Sequence, residues 1–135
     1  KLMFPENSES LALADFDRST QVLCNLLSNA IKWSPENSKI EISESTDGKF
    51  VNINVKDEGP GIAADRQQSI FERFKSSDQR ADKTLASTGL GLYIAKKLIE
   101  LQGGTVSLKS KLGEGSTFSI AFKQMDANGL PGYLE

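Results

Sequence analysis

The 135-residue sequence contains no histidine, and this absence excludes several kinds of functional site. A Ser-His-Asp triad needs an imidazole as its general base, and His-based zinc sites need imidazole ligands. Neither can be built within this chain. Any chemistry here must therefore use carboxylates, amides, lysines and backbone groups.

Cysteine and long apolar runs are equally scarce. Cys24 is the only cysteine, so an internal disulfide is excluded and a reducing compartment is expected. It lies in an apolar helical stretch and is interpreted as a small core residue. No apolar run is long enough to span a bilayer, and no signal peptide is visible at Lys1. We therefore expect a cytoplasmic location, which includes the cytoplasmic portion of a membrane-bound protein.

An excess of basic residues is also missing, because 16 Lys and Arg stand against 18 Asp and Glu, for a net charge of −2. Binding to nucleic acid or to an anionic membrane is therefore not expected. Hydrophobic residues make up 38% and charged residues 25%, as in soluble globular domains. The length predicts one domain, which we place at residues 1–123, followed by a flexible tail at 124–135.

The hydrophobic pattern predicts helices interspersed with antiparallel hairpins. This arrangement favours an α+β fold, a two-layer sandwich with a mainly antiparallel sheet covered on one face by helices. A polar segment without periodicity, residues 75–88, is predicted to be a mobile loop. The predicted elements are a short strand around 11–13, helices at 18–33 and 89–102, hairpin strands at 39–46 and 50–56, and hairpin strands at 105–111 and 116–123.

The first predicted helix carries a polar stripe. At about 100° per residue, Asn25, Asn29 and Lys32 fall within about 60° of one another, opposite an apolar side that runs from Val22 to Ile31. An ordinary solvated face explains most such stripes. Asparagine is a poor helix former, however, and amides one turn apart beside a lysine suit a hydrated magnesium ion next to phosphate oxygens.

Two glycine-rich segments are further candidates. Asp57-Glu-Gly-Pro-Gly61 follows a strand, and it is either a tight turn or a carboxylate that accepts a hydrogen bond from a purine amino group. Ser87-Thr-Gly-Leu-Gly-Leu92 precedes a helix, where glycines serve either close packing or the binding of an anion by free N–H groups. Phe71 and Phe74 are core residues or anchors for the hinge of a lid.

The order of these segments resembles that of the ATP-binding domains of sensor histidine kinases. Residues 25–35 are similar to the N box, 57–62 to the G1 box, 70–74 to the F box, 87–95 to the G2 box, and 113–118 to the last glycine motif. The resemblance implies the Bergerat fold, which is shared with gyrase B, MutL proteins and heat-shock chaperone ATPases. It also implies transfer of a phosphoryl group from Mg–ATP to a histidine outside this chain.

The resemblance assigns a role to each matching position. Asn29 would be the principal Mg²⁺ ligand, assisted by Asn25, and Lys32 would approach the phosphates. Ser116 would support the adenine pocket. The remaining residues implied to bind ATP are Trp33, Asp57, Gly59, Gly61, Ile62, Phe74, Thr88, Gly89, Leu90, Gly91, Leu92 and Thr117, with Asp57 accepting the adenine amino hydrogen bond and residues 88–92 holding the phosphates.

Two positions depart from the family pattern. Ser87 stands where the G2 box usually has a glycine, and Lys75-Ser-Ser follows Phe74 where many relatives have an arginine. Arg73, Lys75 and Arg80 are the candidates to replace that phosphate contact.

Proteins of this fold serve several functions. The ATPase relatives place a glutamate at the position of Asn25, and an amide there disfavours hydrolysis. A regulatory ATP-binding module and an anti-sigma-type serine kinase are the alternatives to a histidine kinase. The partners implied are ATP or ADP, the dimerisation domain that carries the histidine and, indirectly, a response regulator. The isolated domain is expected to be a monomer.

Overall fold

The computed structural model describes residues 2–3, 11–72 and 91–125. These residues form two helices and six strands, of which the strand at residues 2–3 was not predicted and the others follow the predicted order. The strands are β1 (Leu2–Met3), β2 (Leu11–Leu13), β3 (Ile40–Thr46), β4 (Phe50–Asp57), β5 (Thr105–Lys111) and β6 (Gly115–Met125), and the helices are α1 (Phe16–Trp33) and α2 (Gly91–Leu101), with short 3₁₀ helices at Ala64–Arg66 and Ser69–Phe71.

The strands form one sheet in the order β1-β3-β4-β6. The far edge of the long strand β6 is shared, because β5 pairs with its first part and β2 pairs with its end. Every pair is antiparallel except β1 with β3. The predicted α+β fold with a mixed, mainly antiparallel sheet is thereby confirmed.

Helix α1 begins two residues before the predicted start. The side chain of Asp15 accepts a hydrogen bond from the backbone N–H of Arg18 at 3.0 Å, which places the N-cap at Asp15 and the first helical residue at Phe16. The helix ends at Trp33 as predicted. Ser34 is extended there, with ψ of 142°, because the residue before Pro35 is excluded from the helical region.

Both helices pack on one face of the sheet. Val22, Leu26 and Ala30 of α1 and Ala95 and Ile99 of α2 are fully buried against it. The strand residues of the same core are Ile40, Val55, Phe118, Ile120 and Phe122, together with Ile70 from the second 3₁₀ helix. Phe71 joins this core, since its ring centroid lies 6.1 Å from that of Phe118 in an edge-to-face arrangement.

Two residues of α1 were wrongly predicted to be buried. Cys24 is exposed, and the side chain of Ile31 is 58% exposed. The buried line runs through Val22, Leu26 and Ala30, and Cys24 and Ile31 lie about 180–200° from Val22 around the helix. They therefore point away from the sheet, although both are apolar.

The opposite face of the sheet is polar. Asn54 in the middle of β4 donates from Nδ2 to Oγ of Ser43 at 3.4 Å, and its Oδ1 accepts from Oγ of Ser119 at 2.6 Å. The neighbouring positions on the helix-covered face, such as Val55 and Phe118, are buried. Within the described ranges, this alternation agrees with the prediction that helices cover one face of the sheet.

The second hairpin is longer than predicted. Strand β6 continues to Met125, two residues beyond the predicted end at Lys123, because Gln124 and Met125 pair with β2. Residues 126–135 and the predicted loop at 75–88 lie outside the described residues. No helix in the described ranges has both the length and the apolarity that crossing a membrane requires.

Candidate functional site

The polar side of α1 runs beside its buried side. Asn25, Asn29 and Lys32 are half-buried, whereas Gln21 and Ser28, which flank them, are exposed. The indole Nε1 of Trp33 donates a hydrogen bond to Oδ1 of Asn29 at 3.1 Å. The ammonium group of Lys32 lies 4.6 Å from the centre of the Trp33 ring. The structure therefore gathers four predicted site residues at the C-terminal half of one helix.

Asp57 ends strand β4 and is only 5% exposed. A carboxylate that contacts a ligand at a pocket is expected from the sequence to be partly exposed, and the burial of Asp57 contradicts this expectation. Its Oδ1 accepts hydrogen bonds from the backbone N–H groups of Gly59 at 2.8 Å and Ser116 at 3.3 Å. Among the described residues, no donor reaches Oδ2. One carboxylate oxygen is thus fixed by the backbone while the other remains available to a ligand.

The burial of Asp57 shifts the pKa of its carboxyl group. Removal from water raises the pKa of this carboxyl above its ordinary 3.8, and the two hydrogen bonds from Gly59 and Ser116 oppose that rise. A buried carboxylate with one open oxygen accepts a hydrogen bond strongly because little water competes for it. An exocyclic amino group of a purine is a donor of the required kind.

Three glycines bring backbone segments close together around Asp57. A Cβ on Gly59 would lie 3.0 Å from Oδ1 of Asp57 and 3.0 Å from the carbonyl oxygen of Trp33. Gly61 has φ of 76°, and its Cβ would lie 2.1 Å from the carbonyl oxygen of Lys111. A Cβ on Gly115 would lie 2.2 Å from the carbonyl oxygen of Asp57. Larger residues at these positions would push the segments apart.

Ser110 and Gln67 belong to the same site but were not predicted from the sequence. Oγ of Ser110 accepts from the N–H of Ile62 at 2.8 Å, donates to the carbonyl of Gly115 at 2.9 Å and lies 2.8 Å from Oγ of Ser116. Nε2 of Gln67 donates to the carbonyls of Ile62 and Ser110 at 2.9 and 3.0 Å. Neither residue stands out in sequence, because a serine in a strand and a glutamine in a polar segment are common.

The comparisons with known proteins agree with this geometry. A model of the family described as histidine kinase-, DNA gyrase B- and HSP90-like ATPase matches residues 14–126. The chain belongs to this family. This confirms the resemblance that the order of the sequence motifs indicated.

Relatives within the ATPase family include sensor histidine kinases. Sensor protein SrrB of Staphylococcus aureus is 40% identical over 106 residues, which are 78% of this chain and 18% of SrrB. The catalytic domain of histidine kinase ThkA has a TM-score of 0.75 and 31% identity, covering 91% of this chain and 77% of that domain. Full-length ShkA in complex with AMPPNP has a TM-score of 0.78 and 32% identity, covering 94% of this chain and 26% of ShkA.

The chain thus spans less than a fifth of the length of SrrB, the curated relative described above.

The structure places some of the residues that the family resemblance implies at the nucleotide site and leaves others outside the described ranges. In the β4–β6 register, Ser116 lies opposite Asp57, and both side chains are buried. Thr117 lies opposite Lys56, and this pair is on the face of the sheet away from the helices. The structure therefore favours Ser116 over Thr117 as the pocket residue. Gly91 is exposed at the first described position of α2, and Leu92 packs on the core. The predicted site residues Phe74, Thr88, Gly89 and Leu90 lie outside the described residues.

Ser110→Ala tests the hydrogen-bond network around Ser110. We expect a loss of about 1–3 kcal/mol in the free energy of unfolding, because the half-buried N–H of Ile62 and the Ser116 hydroxyl lose their partner. Ser107→Ala is the matched control, since Ser107 is exposed on the same strand. Urea unfolding measures both variants. Equal losses in the two variants would show that the network contributes nothing to the free energy of unfolding.

Proposed function

We propose that this domain binds ATP with Mg²⁺ and transfers the γ-phosphoryl group to a histidine on the dimerisation domain of its parent sensor kinase, in two-component signal transduction. One observation favours phosphoryl transfer over ATP hydrolysis. The polar side of α1 presents Asn25 and Asn29, and the only acidic residue within α1 is the exposed Asp17, more than two turns before Asn25.

An amide at position 25 cannot take a proton from water at neutral pH, so the α1 face lacks a general base for hydrolysis. Phosphoryl transfer needs mainly positioning of the reactants and neutralisation of the phosphate charge. The accepting histidine must come from another domain or chain, because this chain has none.

The residues present fit both halves of the proposed ligand. The open Oδ2 of Asp57 suits the adenine amino group, and the glycines beside it allow the base to approach the backbone. On α1, the amide oxygens of Asn25 and Asn29 are the hard, neutral ligands that Mg²⁺ accepts beside phosphate oxygens. Lys32 adds a positive charge next to them. The description of ShkA as an AMPPNP complex supports an adenine nucleotide as the ligand.

A regulatory ATP-binding module remains the alternative function. Such a module would be expected to lose one of the residues that serve the reaction, whereas Asn25, Asn29, Lys32 and Asp57 are all present in this chain. The proposed partners beyond ATP and ADP are the dimerisation domain and, indirectly, a response regulator. We also propose that the isolated domain is a monomer.

The proposal is tested by phosphotransfer in trans. The domain is incubated with Mg²⁺, radiolabelled ATP and the separately expressed dimerisation domain of the parent kinase. We expect an acid-labile phosphoryl group on the dimerisation domain and none on this chain. The control is a dimerisation domain whose accepting histidine is replaced by glutamine. Nucleotide binding without any transfer would favour the regulatory module instead.

A further inference from the structure

Trp33, the single tryptophan of the chain, makes a contact that ordinary packing does not explain. It is the last residue of α1, one turn after Asn29, and its Nε1 donates to Oδ1 of Asn29 at 3.1 Å. Both side chains are half-buried. The indole therefore contacts the oxygen atom that the proposed function assigns to Mg²⁺.

The hydrogen bond fixes which end of the Asn29 amide faces the site. An asparagine side chain carries a carbonyl oxygen and an NH₂ group that exchange places when the amide rotates by half a turn. The indole N–H is a donor only, so it pairs with the oxygen and not with the NH₂ group. The carbonyl oxygen has two lone pairs, and one remains for a cation. A rotated amide would instead present its NH₂ group to the cation, and Mg²⁺ does not bind that group.

Trp33 is held both through its ring and through its backbone. The ammonium group of Lys32 lies 4.6 Å from the ring centre, within the range of a cation–π contact. The Trp33 carbonyl oxygen lies so close to Gly59 that a Cβ there would be 3.0 Å away. Because Gly59 also donates to Asp57 at 2.8 Å, the end of α1 is set against the segment that fixes the purine-binding carboxylate.

We propose that Trp33 is a positioning residue that holds Oδ1 of Asn29 towards the magnesium ion of bound ATP. The inference rests on the proposed function, since it deepens the role of the same site. This positioning role of Trp33 differs from that of an aromatic ring that contacts the nucleotide directly. Partners that orient a metal ligand commonly change metal affinity by about 10–100-fold when removed.

The test compares nucleotide affinity with Mg²⁺ and with EDTA, using calorimetry with AMPPNP. The measured quantity is the ratio of the two affinities, because a general loss of packing lowers both and leaves the ratio unchanged. Trp33→Phe keeps an aromatic ring but removes the N–H donor. We expect its ratio to fall roughly tenfold below that of the wild type. In Asn29→Ala the ratio should fall to about one, and adding Trp33→Phe should lower it no further.

A second variant guards against altered packing. A benzothiophene analogue of tryptophan at position 33 keeps the shape of the indole and replaces only the N–H by sulfur. Its ratio should fall as in Trp33→Phe. A wild-type ratio in both variants would overturn the inference while leaving the metal site intact. Absence of any Mg²⁺ effect in the wild type would overturn the proposed metal site and this inference together.

Discussion

Asp57→Asn is expected to weaken nucleotide binding strongly while leaving the fold intact. The asparagine keeps an Oδ1 that accepts from Gly59 and Ser116, so the backbone hydrogen bonds at 2.8 and 3.3 Å are retained. Its NH₂ group replaces the open Oδ2 and meets the adenine amino group donor to donor. We expect a loss of about 3 kcal/mol, roughly a hundredfold in Kd, by calorimetry with AMPPNP.

The control and a second nucleotide make this result specific. Asp47→Asn is the same chemical change at an exposed turn of the β3–β4 hairpin and should leave Kd unchanged. The wild type should prefer ATP to the inosine analogue, which lacks the amino group. Asp57→Asn should lose or reverse this preference. An unchanged Kd in Asp57→Asn would mean that the adenine site lies elsewhere.

The pH dependence follows from the direction of the Asp57 shift. Burial raises the pKa of the Asp57 carboxyl above 3.8, so the folded state disfavours the charged form. The contribution of this group to stability is therefore fully present below 3.8 and is lost as the pH rises through the folded pKa. At neutral pH, thermal unfolding of Asp57→Asn should show an unchanged or raised Tm. Nucleotide affinity of the wild type should weaken as acid protonates Asp57, at a pH above 3.8.

Gly61→Ala is expected to cause a large loss of stability. The glycine has φ of 76°, and a Cβ would lie 2.1 Å from the carbonyl oxygen of Lys111, which is backbone and cannot rotate away. Left-handed backbone alone costs a non-glycine residue about 1–2 kcal/mol, and the clash adds to it. We expect a total loss of about 3–5 kcal/mol in urea unfolding, together with weaker nucleotide binding because Ile62 moves away from Ser110.

Gly113→Ala separates the two causes of that loss. Gly113 has φ of 82° in the neighbouring β5–β6 turn, but a Cβ there would meet nothing within 4 Å. Its substitution should cost only the backbone term of about 1–2 kcal/mol. If both alanine variants lose the same free energy of unfolding, the close approach of Gly61 to Lys111 adds nothing to the cost of the Gly61 substitution.

Periodicity and turn chemistry were sufficient for most of the fold because they act locally. The stop of α1 follows from Pro35, and that of α2 from the glycine pair: Gly103 has φ of 79°, and a Cβ on Gly104 would lie 2.2 Å from the carbonyl oxygen of Ala121. The period of α1 also gave its polar side. The helical period did not identify Cys24 and Ile31 as exposed, because an apolar residue on a helix is buried only if a neighbouring element covers the side of the helix on which it lies.

The sequence by itself determined the α+β class, the absence of any histidine nucleophile and the stripe of Asn25, Asn29 and Lys32. These features depend on residue identity and spacing along one element. Only the tertiary structure decided that Asp57 is buried, that Ser116 rather than Thr117 lies beside it, and that Ser110 and Gln67 tie the site together. Those facts depend on strand register and on backbone segments far apart in sequence, which meet only when the sheet has formed.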